Sequence, residues 1–222
     1  MKILLSVLLL LVLACGNNEA PANRSHKTNK TDVTPIKYST LDKLFITGYF
    51  NNDRILDTLY QNNMSDLTHR VIDSFPDPDN NEWDSVVDYF YHQQSNIIVT
   101  CSNGFKDTLF LGTGLGLYCL INLGDLNNDK RDEIALVIDY CDYSSLNTCK
   151  IYSICNDKFI LLKHFGINEG AFDFDNNPPF HKIKYFLELK NKHWFFKDYL
   201  DNTAETEEEL NKMTPLKIKK CS

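Results

Sequence analysis

A mainly β to α+β fold, built from antiparallel sheets with one short helix, is what this 222-residue sequence predicts, and three observations predict it. Short runs rich in Val, Ile, Phe, Tyr and Thr recur at hairpin-like spacing between Leu44 and Tyr199. Only one segment, "EWDSVVDYFYHQQ" at 82–94, repeats its apolar residues at the helical period. Finally, residues 123–137, "LGDLNNDKRDEIALV", crowd acids and asparagines at alternate positions and then pass directly into an apolar run, as a loop passes into a strand.

In chain order the predicted strands are Leu44–Phe50, Ile55–Gln61, Asn96–Ser102, Asp107–Gly112, Leu115–Asn122, Glu133–Tyr140, Thr148–Cys155, Lys158–Phe165, His181–Lys190 and His193–Tyr199. The helix near 83–92 rests on Trp83, Val86, Val87, Phe90 and Tyr91, which fall at i, i+3, i+4, i+7 and i+8, with Asp79–Asn81 placed to cap it. Gly112, Gly114 and Gly116 in "LGTGLGLY" precede strand-like residues rather than a helix, so they read as a hairpin turn and not as a phosphate loop. Residues 201–222 read as a polar tail holding a short, frayed helix in "TAETEEELNKM". One β-rich domain over 36–200 follows, and it is too short to be a complete propeller.

The N-terminus predicts the compartment. Lys2, the apolar run Ile3–Ala14 and then Cys15 form a secretory signal over 1–14, shorter than the ~20 apolar residues a spanning helix needs. Val12-Leu13-Ala14-Cys15 resembles the bacterial lipobox, which implies cleavage before Cys15 and lipid modification, including palmitate, of that cysteine. The residue after it is Gly16 rather than the Asp that resembles an inner-membrane retention signal, so the expected address is the cell envelope, at the outer membrane rather than the inner. Residues 15–35, rich in Asn, Lys, Thr, Pro and Ala, carry too little apolar surface to offset ordering and read as a flexible tether.

Removing residues 1–14, which contain one lysine and no acid, leaves 22 basic against 30 acidic residues and a net charge of −8. Such a chain repels phosphate backbones, so nucleic acid is excluded as a partner. The expected partners are the lipid bilayer, through Cys15, and another protein. Six further cysteines, in an exported chain, suggest disulfides; Cys141 and Cys149 flank "DYSSLNT" between two predicted strands and form the candidate pair, with Cys155 as the competitor.

The acidic stretch is the stronger of two candidate metal loops. With Asp125 as position one, Asp125, Asn127, Asp129 and Glu133 occupy positions one, three, five and nine, and the Arg131 carbonyl occupies seven. Alternate residues in a tight loop turn their oxygens to one centre, where a hard cation such as Ca2+ accepts six to eight of them at ~2.3–2.6 Å. Leu136 at position twelve excludes an EF-hand. A second copy, "GYFNNDRILDTL" at 48–59, aligns without gaps on "GDLNNDKRDEIA" at 124–135, and self-similarity at 76 residues points to a repeated unit. Both stretches resemble the calcium loops of FG-GAP and VCBS repeats, the integrin-like signature D-x-[DN]-x-D-G-x-x-[DE] before a strand, which implies a structural calcium site. The first copy has Tyr49 at position one and keeps only Asn51, Asp53 and Asp57, so it is the weaker loop. Both copies carry a basic residue, Arg54 or Lys130, where the signature has glycine.

No G-x-S-x-G elbow, H-E-x-x-H pair or Walker loop is present. The expected function is therefore that of a membrane-anchored, exported lipoprotein, a non-catalytic binding or envelope protein with a structural calcium loop. The alternative is a cryptic hydrolase acting on envelope glycan or peptide. Two opposed carboxylates in a cleft, or a Ser/His/Asp cluster, would favour the hydrolase, and a flat exposed apolar patch or open sheet edge the binder.

Overall fold

The computed structural model describes residues 35–51, 53–102, 106–175, 180–201, 203, 204 and 206–220. Cys15, the predicted signal, nearly all of the tether, and Cys221 lie outside the described residues. The strands are β1 (Tyr38–Thr40), β2 (Phe45–Gly48), β3 (Asp57–Ser65), β4 (Arg70–Val71), β5 (Ser74–Pro76), β6 (Ser95–Cys101), β7 (Leu109–Phe110), β8 (Gly116–Gly124), β9 (Glu133–Asp139), β10 (Leu146–Cys155), β11 (Lys158–Asn168), β12 (Leu187–Lys190), β13 (His193–Phe196) and β14 (Thr214–Pro215). Helix α1 spans Trp83–His92, and α2 is the single turn Glu207–Leu210. The fold is mainly β, its paired strands are antiparallel, and they close into neither a barrel nor a propeller.

Two four-stranded sheets carry the architecture, in the orders β2-β3-β6-β7 and β8-β9-β10-β11, with β4 added beside β3. Each begins with a hairpin whose connection is one of the two similar loops, and the registers agree: Gly48 faces Asp57, and Gly124 faces Glu133. The first sheet takes its strands in the order β2-β3-β6-β7 and the second in the order β8-β9-β10-β11, so both are built outward from the hairpin that holds the loop. The sheets stack through Leu44, Phe50, Leu59, Ile97 and Val99 of the first against Leu120, Ile134, Leu136 and Ile138 of the second. The other face of the second sheet, with Ala135, Val137, Cys149 and Ile151, packs on Phe172, Phe180, Ile183, Phe186 and Leu187. That middle position explains the strand compositions. β9, "EIALVID", is buried at six successive residues because both its faces are covered. β3 alternates buried and outward residues because one face is bare.

The stretch Gly112–Leu115 is not the hairpin turn predicted. It carries the chain from β7 in the first sheet to β8 in the second, with Gly112 at φ 89°. Buried Asn63 holds the crossing, donating through Nδ2 to the Gly114 and Leu115 carbonyls at 3.1 and 2.9 Å while accepting from Gln61 at 2.9 Å. Helix α1 forms where its periodicity places it. Val86 and Phe90 are buried against Leu41, Ile72 and Phe75 in a separate cluster. Its N-cap is Glu82, with no side-chain cap; Asp79–Asn81 lie in the preceding turn, where Asn81 donates to the Asp77 carbonyl at 2.8 Å.

Two predicted elements are corrected. Strand β12 begins only at Leu187, because Tyr185 sits at φ 66° and the Leu187 N–H turns back to the Ile183 carbonyl at 3.0 Å; Ile183 and Phe186 are apolar because they are buried in that turn. The C-terminal stretch is more than a polar tail. Thr206 caps α2 through the Glu209 N–H, β14 pairs with β13, and Leu216 and Ile218 pack on the main core.

Candidate functional site

The two loops agree at their sixth and ninth positions. Their sixth residues, Arg54 and Lys130, lie in the left-handed region at φ 63° and 72°, where the resembled signature has glycine. A side chain there costs about 1–2 kcal/mol, which the surrounding turn has to offset. Their ninth residues, Asp57 and Glu133, start the following strand and are fully buried.

In the second loop the acids fold the backbone around themselves. Asp125 accepts from the Asp129 and Lys130 N–H groups at 3.0 and 2.9 Å, so one carboxylate closes the turn. Asp129 accepts from the Arg131 N–H at 3.1 Å and from the Arg131 guanidinium at 2.8 Å. Glu133 accepts from the Leu126 N–H and from Asn127 Nδ2, both at 2.8 Å. The C-terminal segment reaches the same loop, where Lys220 Nζ donates to the Asn128 carbonyl at 3.0 Å. Burial pushes the Glu133 carboxyl up to about 7, and the charges of Asp129 and Asp125 add to the rise against hydrogen bonds from Leu126 and Ser153. Burial also works to raise Asp129, but the Arg131 guanidinium overrides it and holds that carboxyl below its usual value.

A hard cation fits these residues in part. Asn127 is buried, and its Oδ1 has no hydrogen-bond partner, so the loop contains one acceptor that the protein leaves unused. Against this, Arg131 already neutralises Asp129. Among the described residues no three His, Cys, Asp or Glu side chains converge as a metal-holding group.

The first loop solves the same turn without an acid at position one. Asn51 Oδ1 accepts from the Asp53 N–H at 2.9 Å, and Asp53 Oδ1 accepts from the Ile55 N–H at 2.7 Å. Sequence reasoning missed Asp132, which ties the loops together: its carboxylate accepts from the Tyr49 N–H at 3.0 Å and from Asn122 Nδ2 at 2.9 Å, and its own N–H donates to the Tyr49 carbonyl at 2.8 Å. Gly48 lies at this junction, where an added Cβ would stand 2.4 Å from Asn122 Nδ2. Asp132 falls outside the alternating ligand pattern, so no local signal marked it.

The candidate disulfide is also corrected. Cys141 and Cys149 are both free thiols. The β9–β10 register sets Cys149 opposite Val137, four residues before Cys141, an offset of about 13 Å along the strand against the ~7 Å limit for a bridge. Cys149 is buried in the main core, and Cys155 is disulfide-bonded.

A cavity of 510 Å³ opens beside Trp194, whose indole N–H donates to the Leu123 carbonyl at 2.8 Å. His181, Lys182 and Tyr185 line it, and among the described residues Glu188 is its one carboxylate. Elsewhere, Tyr118, at the β8 irregularity between Leu117 and Cys119, donates a hydrogen bond to Asp139. Burial raises the Asp139 carboxyl to about 6, against the lowering effect of that bond. The folded state therefore holds this proton more tightly than the unfolded state does. The resulting stability is present in full below about pH 4 and is lost as pH rises to about 6. Asp139→Asn is expected to flatten the melting-temperature profile across that same window, from about pH 4 to about pH 6. An unaltered profile would assign the slope to other groups.

Compared with known proteins, the chain matches no family model, no curated protein and no solved structure.

Proposed function

We propose that this protein is a lipid-anchored, non-catalytic binding protein of the bacterial cell envelope, held at the outer membrane by Cys15, that recognises a protein partner and uses its second loop as a structural calcium site. One observation carries the binding reading: the outward face of the first sheet exposes Phe45, Tyr60 and Phe110. Aromatic rings left exposed on one face of a sheet support a contact surface there. The hydrolase reading would need a second carboxylate opposite Glu188 or a Ser/His/Asp cluster, and the described residues lining that cavity supply neither. The calcium reading is supported by the spacing of Asp125, Asn127, Asp129, the Arg131 carbonyl and Glu133, and by the unused Asn127 Oδ1.

Broad chemical crosslinking of intact envelopes tests the binding claim. It is expected to trap the chain in a complex, and recovery of the monomer alone would contradict the reading. For the anchor, Cys15→Ser is expected to abolish labelling by a fatty-acid probe and stable membrane attachment. Undiminished labelling would remove the lipoprotein claim.

A further inference from the structure

Three parts of the chain meet around the 510 Å³ cavity: Ile121 of β8, the turn through Ile183–Leu187, and Trp194 of β13. The turn is tied down before any ligand arrives, since the Phe180 N–H donates to the Tyr118 carbonyl at 3.0 Å and the Lys184 N–H to the Ala171 carbonyl at 2.9 Å. Its apolar wall is left partly open. Ile121 and Trp194 both pack on the main core and line the cavity, and neither is fully buried. Because the indole N–H of Trp194 is committed to the Leu123 carbonyl, what this residue offers a ligand is the face of its ring. Tyr185 adds a second ring, 63 % exposed and held at φ 66°, a conformation that strains an aromatic residue. Strain of this kind clusters at ligand clamps.

The charges around the cavity are already sorted. Glu188 is paired with Lys190 at 2.7 Å, and Lys184 with Asp173 at 2.9 Å. His181 and Lys182 are exposed on the same wall, and among the described residues neither side chain has a hydrogen-bond or ion-pair partner. The uncommitted charge at the cavity is therefore positive, in a chain whose 30 acids outnumber its 23 bases.

We propose that this cavity binds a small aromatic anion, with its ring on Trp194 and Tyr185 and its anionic group at Lys182 and His181. The site is separate from the outward face of the first sheet and takes a different kind of ligand. Its volume falls within the ~300–1,000 Å³ of small-molecule pockets, with the usual apolar lining and few polar groups. A neutral sugar would also stack on Trp194, but its hydroxyls need acids or amides to accept from them. The described lining residues include no amide, and their one carboxylate is held by Lys190.

The test titrates the full chain by calorimetry with naphthalene-2-carboxylate and with its uncharged counterpart, 2-naphthamide. One saturable site is expected, with the carboxylate bound about tenfold more tightly than the amide. Lys182→Gln should remove most of that difference while leaving the affinity for the amide and the thermal melt unchanged, because Lys182 is exposed. Tyr185→Gly should weaken both probes without lowering the melting temperature, since glycine adopts positive φ freely. Phe110→Ser, on the first sheet, should change neither affinity. No saturable binding of the carboxylate would overturn the site. Equal affinity for the two probes, or a difference that survives Lys182→Gln, would overturn the anion assignment. Loss of binding in Phe110→Ser would move the ligand to the first sheet, and binding of methyl glucoside but of neither naphthalene probe would assign the cavity to sugars; either result would overturn the proposal.

Discussion

Phe50→Ala is expected to destabilise the protein by about 3–5 kcal/mol, a large share of the ~5–15 kcal/mol that typically holds a domain folded. Phe50 is fully buried and lies within the first loop's repeat motif, where it enters the cluster joining the first sheet to the second. Its removal leaves a cavity that the adjoining loop cannot collapse into, because the Tyr49 N–H and carbonyl are both held by Asp132. Urea denaturation followed by circular dichroism measures the loss. A cost below about 1 kcal/mol would mean that the two sheets do not share this core.

Much of this architecture was legible locally. The hairpins β2–β3 and β8–β9 and helix α1 were marked by their own periodicity. Short edge strands were not. β1, β5 and β14 are two or three residues long and are defined by partners far along the chain, as Tyr38 is by Pro76 and Phe195 by Pro215. The error at Cys141 and Cys149 has the same origin. Sequence spacing suggested that they face each other, whereas the register, fixed by the buried face of β9, offsets them. In the candidate site the acids at alternate positions were readable as a tight loop. The tie through Asp132, the guanidinium of Arg131 on Asp129 and the reach of Lys220 were not, because each depends on where a side chain is delivered by the fold.

The second large effect concerns the cation. Burial raises the Glu133 carboxyl and the nearby charges of Asp129 and Asp125 add to the rise, while Arg131 offsets only Asp129 directly. A bound divalent ion would relieve that repulsion and engage the unused Asn127 Oδ1, and an ion that binds the folded state alone stabilises it by about 2.7 kcal/mol at a hundredfold excess over Kd. The first loop lacks this incentive, since Tyr49 replaces the first acid and leaves two carboxylates, Asp53 and Asp57, where the second loop has three. Asp129→Ala also leaves Arg131 without its carboxylate, so the calcium-free melt of that variant falls on its own account; the increment produced by calcium is the quantity that isolates the site.

The decisive measurement is a set of thermal melts of the wild type, Asp129→Ala and Asp53→Ala after chelation, with and without added calcium at fixed ionic strength. The account predicts that calcium raises the wild-type melting temperature, that Asp129→Ala loses most of the rise, and that Asp53→Ala retains most of it. A wild type that melts at the same temperature in both conditions would show that the alternating acids only shape a turn, and loss of the rise in Asp53→Ala but not in Asp129→Ala would place the site in the other loop.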